Sequence, residues 1–532
     1  MRRPLLAPFV THRSTGGMVA TVDQLASVAG AGVLGDGGTA VDAAIAANAV
    51  LAVTTQHMCG LGGDLWALVH EPGRTPTALD ASGAAGSGAD PERLRAEGFT
   101  SMPQWDDIRA TPVPGCVDGW QALHDRYGRL EMSRVLEPAI HLAENGFPAG
   151  MTLCALLPRV AGKPGTGDYP SDGSLRPGDV VRRPGVARTL RAVAAEGRDA
   201  FYGGEFGSGL IDLGDGEFTA EDLAAVQARW VEPLSVVAWD HRVWTTPPAS
   251  QGYLSLLAAA IASGLERPAV PADPEDPLWA HLLIEAAKQA GRDRPEVLHQ
   301  DADGAALLAG DRINQLRSRI RADRAADLSG PGGEGDTIYL CTVDGSGMGV
   351  SLIQSNASGW GSGLVEPNTR IFLHNRGQGF NLTPGHGAEY GPGRRPPHTL
   401  APALVTTPDG GLRAVLGTMG GDSQPQVVLQ MLARLLHGNE DPARVVAAGR
   451  WRLASAADGG FDTWSDPGSI VVQVEANAPE WARALRDRGH TVVERPAFDS
   501  SFGHAHLIEV AANGVRAGAS DPRALGGAAL GM

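Results

Sequence analysis

Cysteine is scarce in this chain. The four residues Cys59, Cys116, Cys154 and Cys341 lie far apart with no C-x-x-C spacing, which argues against a zinc site or a redox motif and predicts reduced, buried thiols. Basic residues are also short: 44 Lys and Arg face 60 Asp and Glu, a formal net charge of -16. A nucleic-acid or anionic-membrane partner would need a basic patch, so neither is expected. No apolar run reaches membrane-spanning length, and the start Met1-Arg2-Arg3-Pro4-Leu5-Leu6-Ala7-Pro8 lacks an apolar stretch suited to export. The expectation is a soluble, cytoplasmic protein. There are no repeats or heptads, and nothing calls for a metal or an organic cofactor.

What is present is glycine at meaningful places. Four glycines from Gly330 to Gly335 precede Asp336-Thr337, and Thr337 opens the strand-like run Ile338-Tyr339-Leu340-Cys341-Thr342-Val343. A second strand, Met348 to Ser355, follows across Asp344-Gly345-Ser346-Gly347, which predicts a hairpin. If the Asp336–Thr337 bond breaks, Thr337 holds both a nucleophilic hydroxyl and an α-amine. An α-amine titrates near ~8, so it can act as the base. Locally the same stretch also reads as an ordinary loop-to-strand junction.

Elsewhere the pattern alternates helix and strand. Helical spacing runs from Asp23 to Val33 and stops at Gly37-Gly38, and Thr39 caps a helix with a small-residue face. Gly60-Leu61-Gly62-Gly63-Asp64 leads into a strand, Leu65 to Val69, and is read first as a turn and second as a close approach to a ligand. A glycine cluster that follows a helix and precedes a strand runs opposite to the phosphate-binding order. Thr219 with Asp222 signals a helix start, 158–184 a long loop, and Pro479 to Arg488 an amphipathic helix.

Several short motifs resemble the γ-glutamyltranspeptidase family, in order and over nearly the whole chain. They include Gly37-Gly38-Thr39-Ala40-Val41-Asp42-Ala43-Ala44, Gly60-Leu61-Gly62-Gly63, Val113-Pro114-Gly115, Gly335-Asp336-Thr337, Gly391-Pro392-Gly393-Arg394-Arg395-Pro396, Gly420-Gly421 and Ser520-Asp521-Pro522-Arg523. The resemblance implies an α+β fold, a four-layer αββα sandwich of the N-terminal-nucleophile hydrolase type. It implies a precursor that cuts itself into a large subunit, Met1–Asp336, and a small one, Thr337–Met532, interlocked in one domain. It also implies that Thr337 forms an acyl-enzyme with an amide substrate, that Gly420 and Gly421 supply oxyanion N–H groups, and that Ser355 bonds the Thr337 hydroxyl, where the family has a threonine. Processed units that pair as a dimer are compatible with it.

The departures concern substrate grip. Where the family carries an arginine for a glutamyl α-carboxylate, this chain reads Asp80-Ala81-Ser82-Gly83. Where it carries an acid for the α-amine, the chain reads His374-Asn375-Arg376-Gly377-Gln378-Gly379-Phe380, and a serine pair becomes His398-Thr399. The expected substrate contacts are therefore Arg376, as carboxylate clamp, with Asn375, His398 and Thr399. Arg376 also has a salt-bridge reading, and His398 has a structural one. The default substrate class is γ-glutamyl amides such as glutathione. The competitor is a short acid amide lacking an α-amine, as in members that resemble oxamate amidohydrolase or acylases. A catalytically idle, metabolite-binding paralogue is the reading from another class, and the intact Thr337, Ser355 and glycine pair weigh against it.

Overall fold

The computed structural model describes residues 9–326, 337–455, 463–464 and 470–532. Two seven-stranded sheets, antiparallel throughout, form its centre. Across the first, neighbouring strands are Ala528–Gly531, Met18–Thr21, Ile338–Val343, Gly349–Ser355, Asp64–His70, Thr77–Ala81 and Arg229–Val231. Across the second they are His12–Ser14, Arg516–Ser520, Ala505–Val510, Leu412–Thr418, Ala403–Thr406, His241–Thr245 and Leu234–Ala238.

Strand residues alternate faces, and both faces of these central strands are covered. Leu340, Leu352, Ala67 and Leu79 pack outward, under the helices Gln24–Gly35, Ala40–Thr54, Cys116–Tyr127 and Met132–Asn145. Tyr339, Cys341, Ile353, Trp66 and Leu68 point inward and meet Leu404, Val415 and Ile508 of the other sheet. The second sheet buries its outer face, including Val405, Leu416 and Leu507, beneath Tyr253–Ser263, Pro277–Gly291 and Gln424–Leu432. The order is helices, sheet, sheet, helices, the four-layer α+β sandwich that the family resemblance implies. Burial of each large aliphatic side chain in these layers contributes about 2 kcal/mol.

Local sequence sets the register that matters. In the turn after the Ile338 strand, the Asp344 carboxylate accepts the N–H groups of Ser346 and Met348, and Gly347 takes φ +94. That turn aligns Ile338 with Gln354, so Thr337 comes opposite Ser355. Thr39 and Asp42 form a capping box at the start of Ala40–Thr54, all of whose residues are buried. The Ala40 N–H is held by Asp344, and the Ala40 carbonyl accepts from Thr342, so this helix is pinned to the same hairpin.

Strands from either side of position 337 interleave: Met18–Thr21 lies beside Ile338–Val343, and Gly349–Ser355 beside Asp64–His70. The glycines at 62 and 63 serve close packing. A Cβ on Gly62 would sit 2.2 Å from the Phe372 carbonyl, and one on Gly63 2.3 Å from the Ser355 carbonyl. Of the four cysteines, all unpaired, three are buried and Cys154 is half-buried.

Candidate active site

Thr337 sits at the head of the Ile338 strand, and the sheet brings a polar row to that end. Ser355 pairs with Asp64, and Leu65 with Ala81, so Thr337, Ser355, Asp64 and Ser82 follow one another across four strands. Each lies two residues from an inward-facing neighbour, Tyr339, Ile353, Trp66 and Asp80 respectively, so all four face the space between the sheets. All four are fully buried.

Thr337 Oγ1 lies 2.9 Å from Ser355 Oγ. Ser355 Oγ accepts the Ala357 N–H at 2.8 Å, which fixes that oxygen beside the threonine. The position and the bond match the expectation for a hydroxyl pair. Asp336 lies outside the described residues.

The second sheet closes the row from above. Gly417 rests on the Tyr339 ring, where a Cβ would come within 2.4 Å of ring carbon, so the sheets are in close contact two residues from Thr337. Gly420 and Gly421 follow directly, at φ +130 and φ +54, conformations that favour glycine. The Gly420 carbonyl accepts from Ser423 N and Oγ. Among the described residues no acceptor is bonded to the N–H of Gly420 or Gly421. Backbone N–H groups without an internal acceptor are the kind of donor an oxyanion requires. Gln251 Nε2 donates to both the Thr399 and the Gly421 carbonyls at 3.0 Å, locking the glycine turn to the 398–399 segment.

Asp64 is the electrostatic centre of the row. Its Oδ2 accepts Arg376 Nε at 2.7 Å and His398 Nε2 at 3.0 Å. His374 Nδ1 stands 3.6 Å away, too far for a hydrogen bond. Burial pushes the Asp64 carboxyl up, but the Arg376 guanidinium and the histidines outweigh it and hold its pKa well below the usual carboxylate range. Arg376 Nη1 donates to Thr399 Oγ1 at 3.0 Å. The clamp expected of Arg376 is thus already paired to a carboxylate inside the protein, which is the salt-bridge reading left open by the sequence. His398 points Nδ1 at the Pro396 carbonyl at 2.8 Å and Nε2 at Asp64. Burial lowers its pKa, with Asp64 opposing, and the neutral ring can donate to only one of the two.

Asn375 has another position. Its Nδ2 donates to the Gln104 carbonyl and to Ser358 Oγ, while its Oδ1 accepts from Ser358 N and Gln378 Nε2. That uses the full capacity of a side-chain amide, so Asn375 braces the loop and has no bond left over for a substrate. The sequence reading missed two groups. One is Asp64, whose only signal is an acid opening an otherwise apolar strand. The other is Arg395, whose Nη1 donates to Ser82 Oγ at 3.1 Å and whose Nη2 donates to the Gln227 carbonyl at 2.7 Å. A guanidinium therefore reaches Ser82, where the sequence alone leaves none.

Among the described residues one grouping has metal-ligand proximity, the buried His281, Glu285 and His490. Lys288 Nζ already lies 3.1 Å from Glu285 and 3.4 Å from His490 Nδ1, and His281 Nδ1 is hydrogen-bonded to His490 Nε2. The lysine is the cation there. The group also binds the backbone of Arg321 and Ala326.

A strand-initial threonine at the inner end of an αββα sandwich, next to a hydroxyl partner and a glycine turn, defines the class as an N-terminal-nucleophile hydrolase. A family model, Gamma-glutamyltranspeptidase, matches residues 26–531, and the chain belongs to that family. It is 35% identical to the oxamate amidohydrolase proenzyme of Klebsiella pneumoniae subsp. pneumoniae, over 97% of this chain and 98% of that protein. It is 33% identical to the glutathione hydrolase-like YwrD proenzyme of Bacillus subtilis, over 97% and 98%. Its fold is similar to the crystal structure of cephalosporin acylase from Bacillus halodurans, with TM-score 0.88, 33% identity and coverage of 100% and 99%.

Proposed function

We propose that this chain is a self-processing amidohydrolase with Thr337 as its nucleophile. The observation that carries the reading is the 2.9 Å hydroxyl pair Thr337–Ser355 at the head of a central strand. In maturation, Thr337 Oγ1 attacks the Asp336 carbonyl carbon, the peptide C–N bond breaks, and water hydrolyses the resulting ester. The products are a large chain ending at 336 and a small chain whose first residue carries a new α-amine.

In turnover that α-amine takes the Thr337 hydroxyl proton as Oγ1 attacks the substrate carbonyl. The N–H groups of Gly420 and Gly421 stabilise the oxyanion, and Ser355 holds the attacking oxygen in line. Collapse breaks the substrate C–N bond, and the leaving nitrogen takes the proton from the α-amine. Water, activated by the same amine, then frees the acyl group.

The acyl group bears a carboxylate. The carboxylate in the row, Asp64, is charge-paired by Arg376 and hydrogen-bonded by the neutral His398 ring, so the pocket accommodates an acyl anion better than an acyl ammonium. This favours a short acid amide without an α-amine, the kind of substrate named for the oxamate amidohydrolase relative. γ-Glutamyl amides such as glutathione share the carboxylate and form the comparison class. Ammonia release from oxamate, set against anilide release from a γ-glutamyl anilide, separates the two. Activity on either substrate that persists in Thr337→Ala overturns the nucleophile assignment.

A further inference from the structure

The glycine turn at 420–421 is braced from behind by a buried ion pair. Within the turn, Ser423 N–H and Oγ donate to the Gly420 carbonyl, and the Gln424 N–H donates to the Gly421 carbonyl. These bonds close the turn on itself and leave its direction open. Gly420 and Gly421 both hold positive φ, a region glycine crosses at little cost, so the aim of their N–H groups depends on anchors outside the turn. Gln251, on the Gly421 carbonyl, is one such anchor.

Asp422, the residue after Gly421, supplies the other. It is 1% exposed. One carboxylate oxygen lies 3.0 Å from Arg294 Nη2, and the other accepts the Thr463 N–H at 3.1 Å. Burial raises the Asp422 pKa, and the Arg294 cation and the Thr463 N–H oppose that rise.

Both partners of this carboxylate are themselves held. Arg294 comes three residues after the helix Pro277–Gly291, and the Trp464 ring, next to Thr463, lies where a Cβ on Gly291 would come within 2.2 Å of it. Asp293, the acid beside Arg294, is engaged by Arg312 at 2.9 Å, which leaves the Arg294 guanidinium to Asp422.

Resting on the reading of Gly420 and Gly421 as oxyanion donors, we propose that Asp422 and Arg294 are positioning residues for that turn. The pair fixes the residue that follows Gly421, and with it the angle at which the two N–H groups meet the substrate oxygen. It also has an electrostatic effect. A bare carboxylate so close to a developing oxyanion would repel it, and the guanidinium offsets that charge.

The test uses the matured enzyme, with kcat and KM for oxamate and for a γ-glutamyl anilide expressed per free Thr337 terminus counted by intact mass. Arg294→Met should lower kcat by about tenfold to a hundredfold, the effect of displacing a donor by up to about 1 Å, while KM stays within about twofold. Arg294→Lys keeps the cation and should recover most of kcat. Asp422→Asn should match Arg294→Met, and the double variant should be no slower than Asp422→Asn, because each side chain acts through the other. Gly420→Ala is the reference. If it loses kcat while Arg294→Met and Asp422→Asn keep theirs, the positioning role is overturned and the oxyanion reading stands. A loss confined to KM, or a double variant slowed by the product of the two single effects, overturns the positioning role in the same way. A Gly420→Ala enzyme as fast as the parent overturns the oxyanion reading itself, and a parent inert towards both compounds overturns the catalytic reading beneath it.

Discussion

Replacing Asp64 by Asn removes one charge and almost no volume. Arg376 is 1% exposed and then loses its buried counter-anion, while His398 loses its carboxylate partner. Breaking a buried pair in this way costs about 3–5 kcal/mol. Unfolding entropy of about 2 cal/mol/K per residue makes each kcal/mol worth about 1 °C in a chain of this size, so the midpoint should drop by about 3–5 °C. The double variant Asp64→Leu/Arg376→Met removes both charges and should melt well above Asp64→Asn. The Asp64 pKa lies below its unfolded value, so its stabilisation is complete above the ordinary carboxylate range and is lost only as pH falls through the depressed value. The Asp64→Asn deficit should therefore be equal at about pH 5 and about pH 8. Thermal melts of the matured protein read all of this. An Asp64→Asn protein that melts with the parent, or a double variant no more stable than the single one, refutes the pairing argument.

Other outcomes follow from the same geometry. Ser355→Ala should slow both maturation and turnover by about tenfold, the value of one hydrogen bond, whereas Ser355→Thr keeps the hydroxyl and should stay near the parent in single-turnover assays. Gly420→Ala places a methyl 2.6 Å from Ser423 Oγ at φ +130 and should lower kcat by about a hundredfold or more while circular dichroism is unchanged. The pKa values of His57, His504 and His506 are lowered to about 3, about 4 and about 3, chiefly by burial. The unfolded chain binds protons at these sites below about pH 6.5 and the folded chain does not, so the urea midpoint should fall from about pH 7 to about pH 5; a flat profile contradicts their neutral burial.

Sequence reading succeeds here where the determining contacts are short-range. The Thr337–Ser355 pair, expected from the family resemblance, is set by one hairpin and its Asp344 turn, eighteen residues apart in the chain. The capping boxes at Thr39 and Thr219 are likewise local. Asp64 meets Arg376 across 312 positions and His398 across 334, and Arg395 reaches Ser82 across 313. No periodicity encodes those encounters. They arise because sheet order brings distant strand ends to one rim, and for that reason the charge around Asp64 and the cation at Ser82 went unread. Buried helices such as Tyr253–Ser263 lack a polar face, which removes the amphipathic signal that would mark them.

The central claim is that an internal threonine becomes the first residue of its own chain. Intact-mass analysis with N-terminal sequencing of the purified, active protein tests it most directly. Two chains, the smaller beginning at Thr337, together with a single uncut and inactive chain for Thr337→Ala, are the predicted result. A fully active protein that remains one continuous polypeptide would contradict it.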